Sequence, residues 1–243
     1  MSLRISAHWS HLVMLNYEVD PEVLLPYVPD GVILDQFEGR TLASMVGFLF
    51  RRTSLWGIPV PFHQQFEEVN LRFYVRRELP NEIRRGVVFV KEIIPKPIVT
   101  NLARYFYNEN YVTYPMAHQI TAIDSADGLT NTQHIQFSWT TPQQQCHLGA
   151  SISGSPFLPP EQSEETFISE HYYGYCTQKN SRTLEYKVEH PQWNVWKANS
   201  PTLECDVEQL YGKQFVPFLN AEPSSAFVAE GSEVTVGKSG WVT

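Results

Sequence analysis

The sequence predicts an α+β fold that is mainly antiparallel β, a barrel or sandwich with a few peripheral helices. Three observations carry this. Short runs of β-branched and aromatic residues recur along the chain, separated by Gly, Pro, Asn and Asp turns. Helical spacing of apolar residues is confined to a few brief segments. No internal repeat or low-complexity tract interrupts the pattern, and 243 residues make one domain over 1–243 the default, long enough for an ample core.

The first strand is expected over residues 9–19. Asp20 is placed as an N-cap and Pro21 as a first-turn residue, so 21–27 is expected as a short helix. After the Asp30-Gly31 turn, 32–37 and 41–50 form a hairpin across Glu38-Gly39. Residues 51–64 carry Gly57, Pro59 and Pro61 and are expected as a loop. Residues 66–76 form a strand of mixed pattern. Glu68, Asn70, Arg72 and Tyr74 share one face, and Val69, Leu71, Phe73 and Val75 share the other.

Residues 86–118, GVVFVKEIIPKPIVTNLARYFYNENYVTYPMAH, carry the most chemistry. Residues 87–94 read as a buried strand, with Lys91 on one face beside Phe89 and Ile93. Pro95 and Pro97 stop it, because each fixes φ and lacks an N–H. Ile98, Leu102 and Phe106 then recur at helical spacing, with Pro97 at the first turn. Arg104, Tyr107, Asn108, Glu109, Tyr111 and Tyr114 follow, a polar and aromatic block beside an apolar strand. Ordinary core segments carry fewer hydrogen-bonding groups, since each buried one needs a partner.

Further strands are expected at 116–124, 132–139 and 145–153, with turns at Asp127-Gly128 and Thr141-Pro142. Residues 155–160 are a Pro-rich loop. Ser163 caps a helix over 166–176 that puts Phe167, His171 and Tyr175 on one side. Residues 183–190 alternate as a strand, 206–211 form a helical turn, and 226–236 form the last strand.

The net charge of −8 and pI near 5.5 argue against a nucleic-acid partner, which wants a basic face. Cys146, Cys176 and Cys205 are widely spaced and form no CxxC, so free thiols in a reducing compartment are expected. No stretch approaches the ~18 apolar residues of a membrane span, and no secretory leader is visible. The chain is expected to be cytoplasmic, with no membrane partner. A Gly-rich phosphate loop and HExxH are absent, and GASISG at 149–154 misses the GxSxG spacing. His8 and His11 point to opposite faces of a strand and the other histidines are scattered, so no metal site is expected, and no cofactor is expected either.

Four stretches carry a family resemblance: WSHLVMLNYEVDPEVLLPYVPDG (9–31), PFHQQFEEVNLRFYV (61–75), the 86–118 segment and TLEYKVEHPQW (183–193). Together they resemble the uncharacterised YqjF-like family of bacterial proteins (DUF2071), placed in the acetoacetate decarboxylase-like superfamily. The resemblance covers nearly the whole chain and implies a closed, cone-like β-barrel. Glu68 in FEEVNLRFYV looks like the superfamily's strand Glu. Ala103-Arg104 resembles its small residue and Arg, and Tyr114-Pro115 its aromatic-Pro pair. Met116 then stands where the resemblance puts the Schiff-base lysine. A thioether cannot form a Schiff base, which needs a deprotonated amine. Lysine-dependent decarboxylation is therefore not expected.

What remains is a pocket for a small carboxylate or carbonyl compound. Glu68, Arg104 and Glu109 are the candidate catalytic residues: carboxyls for acid–base work, a guanidinium to clamp a carboxylate. Asn70, Arg72, Tyr107, Tyr111, Tyr114, Met116 and His190 are the candidate ligand-binding residues. His171, His190 and Trp193 are placed to close the mouth. Plain alternatives stand beside each: a buried Arg104–Glu68 or Arg104–Glu109 ion pair, tyrosines packed in the core, structural histidines. At the level of function, a lyase- or hydrolase-like activity on a small organic acid stands against a non-catalytic binding or sensing module and a protein-interaction module. The partner expected is a small, anionic molecule, and a homo-oligomer is open.

Overall fold

A computed structural model describes residues 4–61, 64–124 and 131–242, and their side chains except at 102, 103, 105–107, 123, 124, 131, 238 and 239. The strands in the first half are β1 (Ile5–Glu18), β2 (Ile33–Leu34), β3 (Gln36–Phe37), β4 (Arg40–Leu55), β5 (Ile58–Pro59), β6 (Phe66–Leu79), β7 (Glu82–Ile94) and β8 (Tyr111–Thr113). Those in the second half are β9 (Met116–Asp124), β10 (Asn131–Thr140), β11 (Gln145–Ser153), β12 (Tyr173–Thr177), β13 (Thr183–Glu189), β14 (Val195–Glu204) and β15 (Ser225–Trp241). The α-helices are few and short: α1 (Pro21–Leu24), α2 (Pro97–Tyr107), α3 (Glu164–Ser169), α4 (Val207–Tyr211) and α5 (Val216–Leu219). Among the described residues no helix is long and apolar enough to cross a membrane.

The sheet is mostly antiparallel, as the short-strand pattern predicts. Strands hydrogen-bond in the order β1-β4-β6-β7-β12-β13-β15-β14-β11-β10-β9, and β15 also pairs with β1. Among the described pairings only β7–β12 and β7–β8 are parallel. The hairpin between β3 and β4 turns at Glu38 (φ 49°) and Gly39 (φ 79°), two successive positive φ values of the kind a tight two-residue turn requires.

Alternation along the long strands feeds two separate cores. Val69, Leu71 and Phe73 of β6 join Val13 and Met45 in one cluster, completed by Phe137 and Leu148 of the β9–β11 layer and by Leu210 and Phe215. Opposite-facing residues, Met14, Val46, Phe48 and Tyr74, join Phe167, Tyr186 and Phe227 in the other. Each fully buried side chain of this size contributes roughly 1.5–3 kcal/mol relative to leaving it exposed. The polar face of β6 therefore looks into the second core and away from solvent.

Three expectations need correction. Residues 51–64 are not a plain loop: β4 runs on to Leu55 and pairs with β5 across Trp56-Gly57. The helix expected over 166–176 ends at Ser169, and Tyr173–Thr177 is a strand instead. Ser163 does cap it, accepting from the Thr166 N–H at 3.2 Å. The apolar spacing looked helical across Phe167, His171 and Tyr175, but tertiary pairing with β7 and β13 takes the β-forming residues Tyr173–Thr177. Gly174 permits this, because a Cβ there would lie 2.3 Å from the Tyr186 hydroxyl. Residues 195–204, whose sequence carries no clear strand pattern, form β14 between β11 and β15. The Asp127-Gly128 turn lies outside the described residues.

Candidate functional site

A cavity of about 410 Å³ opens where β1, β4, β6, β7 and β13 present their second-core faces. The carboxyl, phenol and guanidinium groups in its lining come from four strands and one turn. β6 contributes Glu68 and Arg72, β7 Glu92, the turn after α2 Glu109, β8 Tyr111, and β13 Tyr186. Strand parity places Glu68 and Arg72 correctly.

Glu92 arrives by a different route. Leu71 pairs with Lys91, but Arg72 pairs with Phe89, so Val90 is an extra residue on β7. Such a bulge reverses the alternation beyond it. Phe89 and Glu92 consequently line the same cavity. Lys91 turns to the other side, where its ammonium donates to the Leu210 carbonyl and lies 5.8 Å from the Tyr211 ring centre. Burial pushes its pKa down. The turn carrying Glu109 is fastened to the bulge. Asn110 Nδ2 donates to the Val90 carbonyl at 2.8 Å, and the Glu92 N–H donates to the Asn110 carbonyl at 3.1 Å. Asn108, at φ 53°, ends α2 in the left-handed conformation that Asn tolerates better than most residues, and so delivers Glu109.

Three carboxyl groups therefore meet in one buried place. Glu68 accepts from Asn70 Nδ2 at 2.9 Å and from the Tyr111 hydroxyl at 3.4 Å. Glu109 accepts from the Tyr186 hydroxyl at 2.9 Å. Glu92 Oε2 has no hydrogen-bond partner among the described residues. Burial pushes Glu68 up to about 7 and Glu109 up to about 8, with Glu68 adding repulsion at Glu109. Glu92 is pushed well above the carboxylate range by burial and by repulsion from Glu109 and Glu68. Burial also raises the Tyr111 and Tyr186 hydroxyls, which stay neutral donors.

Arg72 is the cation facing this cluster. It is buried, with Nη2 3.5 Å from the Ile168 carbonyl and 3.9 Å from the Met14 sulfur. Its Nε has no partner among the described residues. A guanidinium in this position is available to an anion, and its fork matches a carboxylate. His171 stands in the same wall, Nε2 3.6 Å from Asp35 Oδ2. Burial lowers its pKa, against the pull of Asp35. Burial would raise Asp35, but His171, Arg85 and Arg76 outweigh that and hold it low. His190 stacks on Trp193 with ring centres 4.0 Å apart, and burial pushes its pKa down to about 4. Among the described residues no group of three metal-binding side chains is placed to share an ion.

Of the residues singled out in the sequence, the structure brings Glu68, Arg72, Glu109, Tyr111, His171, His190 and Trp193 to the cavity, with Asn70 behind Glu68. Arg104 is elsewhere. It is exposed, and its Nε donates to the Tyr111 carbonyl at 2.7 Å, so neither the ion pair with Glu68 nor the one with Glu109 forms. Arg72, and not Arg104, is the guanidinium that lines the cavity. Tyr114 and Met116 pack against the first core, away from the cavity. Thus the segment likened to the superfamily's aromatic-Pro-Lys does not line the cavity, and no lysine does among the described residues. The Tyr107 side chain lies outside the described residues. Glu92 and Tyr186 were missed, and only the bulge could have pointed to Glu92.

The model of one family, described as an uncharacterized conserved protein, DUF2071, matches residues 6–233. The chain belongs to the DUF2071 family. A curated relative, the uncharacterized protein YqjF of Bacillus subtilis (strain 168), is 24% identical over 207 residues, which are 84% of this chain and 80% of that protein. The enduracididine biosynthesis enzyme MppR has a similar solved structure, with TM-score 0.65 and 12% identity over 100% of this chain and 88% of its own. An acetoacetate decarboxylase-like enzyme from Sphingomonas wittichii RW1 gives TM-score 0.63 and 13% identity, over 100% and 92%. The DUF2071 chain thus shares the acetoacetate decarboxylase-like fold, and the family read from its sequence motifs is the right one.

Proposed function

We propose that this DUF2071 chain is one closed-barrel domain whose cavity binds a small carboxylate or carbonyl compound and moves protons on it without a Schiff base. Pairing of β15 with both β13 and β1 supports a closed ring of strands around the cavity. The carrying observation is chemical: buried Arg72, with no carboxylate bound to it among the described residues, shares a cavity with three carboxyls of raised pKa. A buried charge needs a partner, and a ligand carboxylate supplies one. Groups poised near neutral pH are suited to exchanging protons, one carboxylate accepting and one carboxylic acid donating. On a keto acid, the ionised carboxylate takes an α-proton while a protonated neighbour donates to the carbonyl oxygen. Reversal restores both groups. MppR, of the same fold, has been solved in complex with pyruvate, which fits a carboxylate pocket in this architecture.

The test is deuterium incorporation into pyruvate in D2O, followed by proton NMR. The expected result is exchange above the buffer rate, reduced by about 10²-fold or more in Glu109→Gln. Binding without exchange would make the protein a non-catalytic carboxylate-binding module. Neither binding nor exchange across a panel of small carboxylates and ketones would overturn the reading.

A further inference from the structure

The cavity is larger than a short keto acid needs. Roughly 150 Å³ holds one benzene ring, so 410 Å³ has room for about 10–16 non-hydrogen atoms. Pyruvate, with about six, would leave roughly 40–60% of the space unfilled.

Polarity is graded along the strands. Trp9 pairs with Phe50 and Phe50 with Phe66, so three rings stand at one level of the wall. The Phe50 and Phe66 rings stack at 4.5 Å. Glu68 lies one same-face step further along β6, roughly 7 Å, and Arg72 further still. In the opposite direction Ile5 pairs with both Leu55 and Val236, another apolar level. Beyond it the rim is formed by Trp56 on the β4–β5 hairpin and Ile98 on α2, exposed at 55% and 60%. The lining therefore runs from charged and hydroxylic at depth to mostly aromatic and aliphatic toward the mouth, with Thr53 between the Phe50 and Leu55 levels. An exclusively small, polar ligand gains nothing from the outer levels.

We infer that the ligand is an amphiphile: a carboxylate or carbonyl head among Glu68, Arg72 and Glu92, and a hydrocarbon tail of about eight or more carbons past Trp9, Phe50 and Phe66 to the rim. This rests on the head-group reading proposed above and adds the tail. Apolar pockets with a few convergent polar groups bind in this way: the polar groups fix orientation and the walls supply affinity.

The experiment is calorimetric titration with straight-chain monocarboxylates from acetate to dodecanoate and with the matching alkanols. Wild type, Arg72→Met and Ile98→Asp are compared, the last at a rim position that is 60% exposed. Affinity is expected to rise roughly three- to fourfold per methylene to about decanoate. Arg72→Met should weaken every acid by a similar factor and leave the slope intact. Ile98→Asp should weaken the long acids and spare acetate and butyrate. If acetate and decanoate bind equally and Arg72→Met abolishes both, the tail is wrong and the head-group reading stands. If alkanols bind as well as acids and Arg72→Met changes nothing, the head-group reading fails and the acid amphiphile with it. If no chain length binds, the inference is overturned directly.

Discussion

Phe89 and Glu92 line the same cavity although they stand three residues apart on one strand. The extra residue Val90 makes this possible, and Asn110 holds Val90 through its carbonyl at 2.8 Å. Asn110→Ala should cost about 1 kcal/mol, the usual net worth of one hydrogen bond. Loosening the turn also releases Glu109 and Glu92 together. Urea denaturation and pyruvate titration of the same variant would show both effects. A stability loss with unaltered ligand affinity would mean that the bulge holds its shape without the amide.

Strand parity made Glu68, Asn70 and Arg72 legible, because β6 alternates without interruption through them and its other face is uniformly apolar. Glu92 was not legible. A strict period of two pairs it with Val90, and nothing in the local sequence marks the bulge that pairs it with Phe89. Arg104 sits in a polar block that suggests a clamp, yet its place on α2 turns it to solvent. The false helix over 166–176 has the same origin: spacing of Phe167, His171 and Tyr175 is local information, while the partners of β12 are distant in sequence. The family motifs located the fold, but likening Tyr114-Pro115-Met116 to the catalytic lysine segment misplaced that part of the site.

The two arginines should separate cleanly. Arg72→Met removes a buried charge from the binding wall and should weaken carboxylate ligands by at least ~30-fold, in line with the 2–5 kcal/mol of a truncated buried charge pair. Arg104→Ala removes an exposed bond to the Tyr111 carbonyl and should cost about 1 kcal/mol of stability, with affinity changed less than about fivefold. Calorimetry on both variants decides. Equal losses would place Arg104 in the site after all.

Gly174 tests how tightly Tyr186 is held. An added methyl would lie 2.1 Å from Tyr186 Cζ, and the ring is buried with its hydroxyl on Glu109. Gly174→Ala should therefore lose about 1–3 kcal/mol through overpacking. The displaced hydroxyl stops stabilising the Glu109 carboxylate, so the pKa of Glu109 should rise further. Thermal melts and the pH dependence of ligand binding would register the two effects separately. An unchanged melting temperature would show that the ring relaxes freely.

Stability should fall as the solution becomes alkaline through the carboxyl range. Glu68 and Glu109 titrate near 7 and 8 in the folded chain against 4.5 as the ordinary value. A raised folded pKa means that the folded chain binds more protons than the unfolded one between these limits. The contribution is whole below about pH 4.5 and is lost as pH rises through about 8. His171, with its lowered pKa, acts in the opposite sense at lower pH, so the window to measure is about pH 6.5–9. The melting temperature of wild type should drop across that window, and Glu68→Gln with Glu109→Gln should flatten the slope. Parallel slopes would mean that neither group holds its proton in the fold.

Borohydride should trap nothing. The thioether of Met116 is outside the cavity, and the Lys91 ammonium is engaged by the Leu210 carbonyl on the far side of β7. Incubation with acetoacetate or pyruvate and borohydride should leave the intact mass unchanged. An adduct mapping to Lys91 would show that the amine reaches the ligand and forms an imine.

Ile5 and Val236 face one another across β1 and β15, and both line the cavity. That single pairing joins residues from nearly opposite ends of the described chain. Contacts of such long sequence separation form late and slowly, because most of the polypeptide must be ordered before they offer any gain. During synthesis the N-terminal strands emerge and wait with one edge unpaired, exposed to other chains. The cavity thus comes into being only when β15 docks. A nascent or truncated chain lacking residues 225–241 can hold much of the secondary structure described above and still possess no chamber.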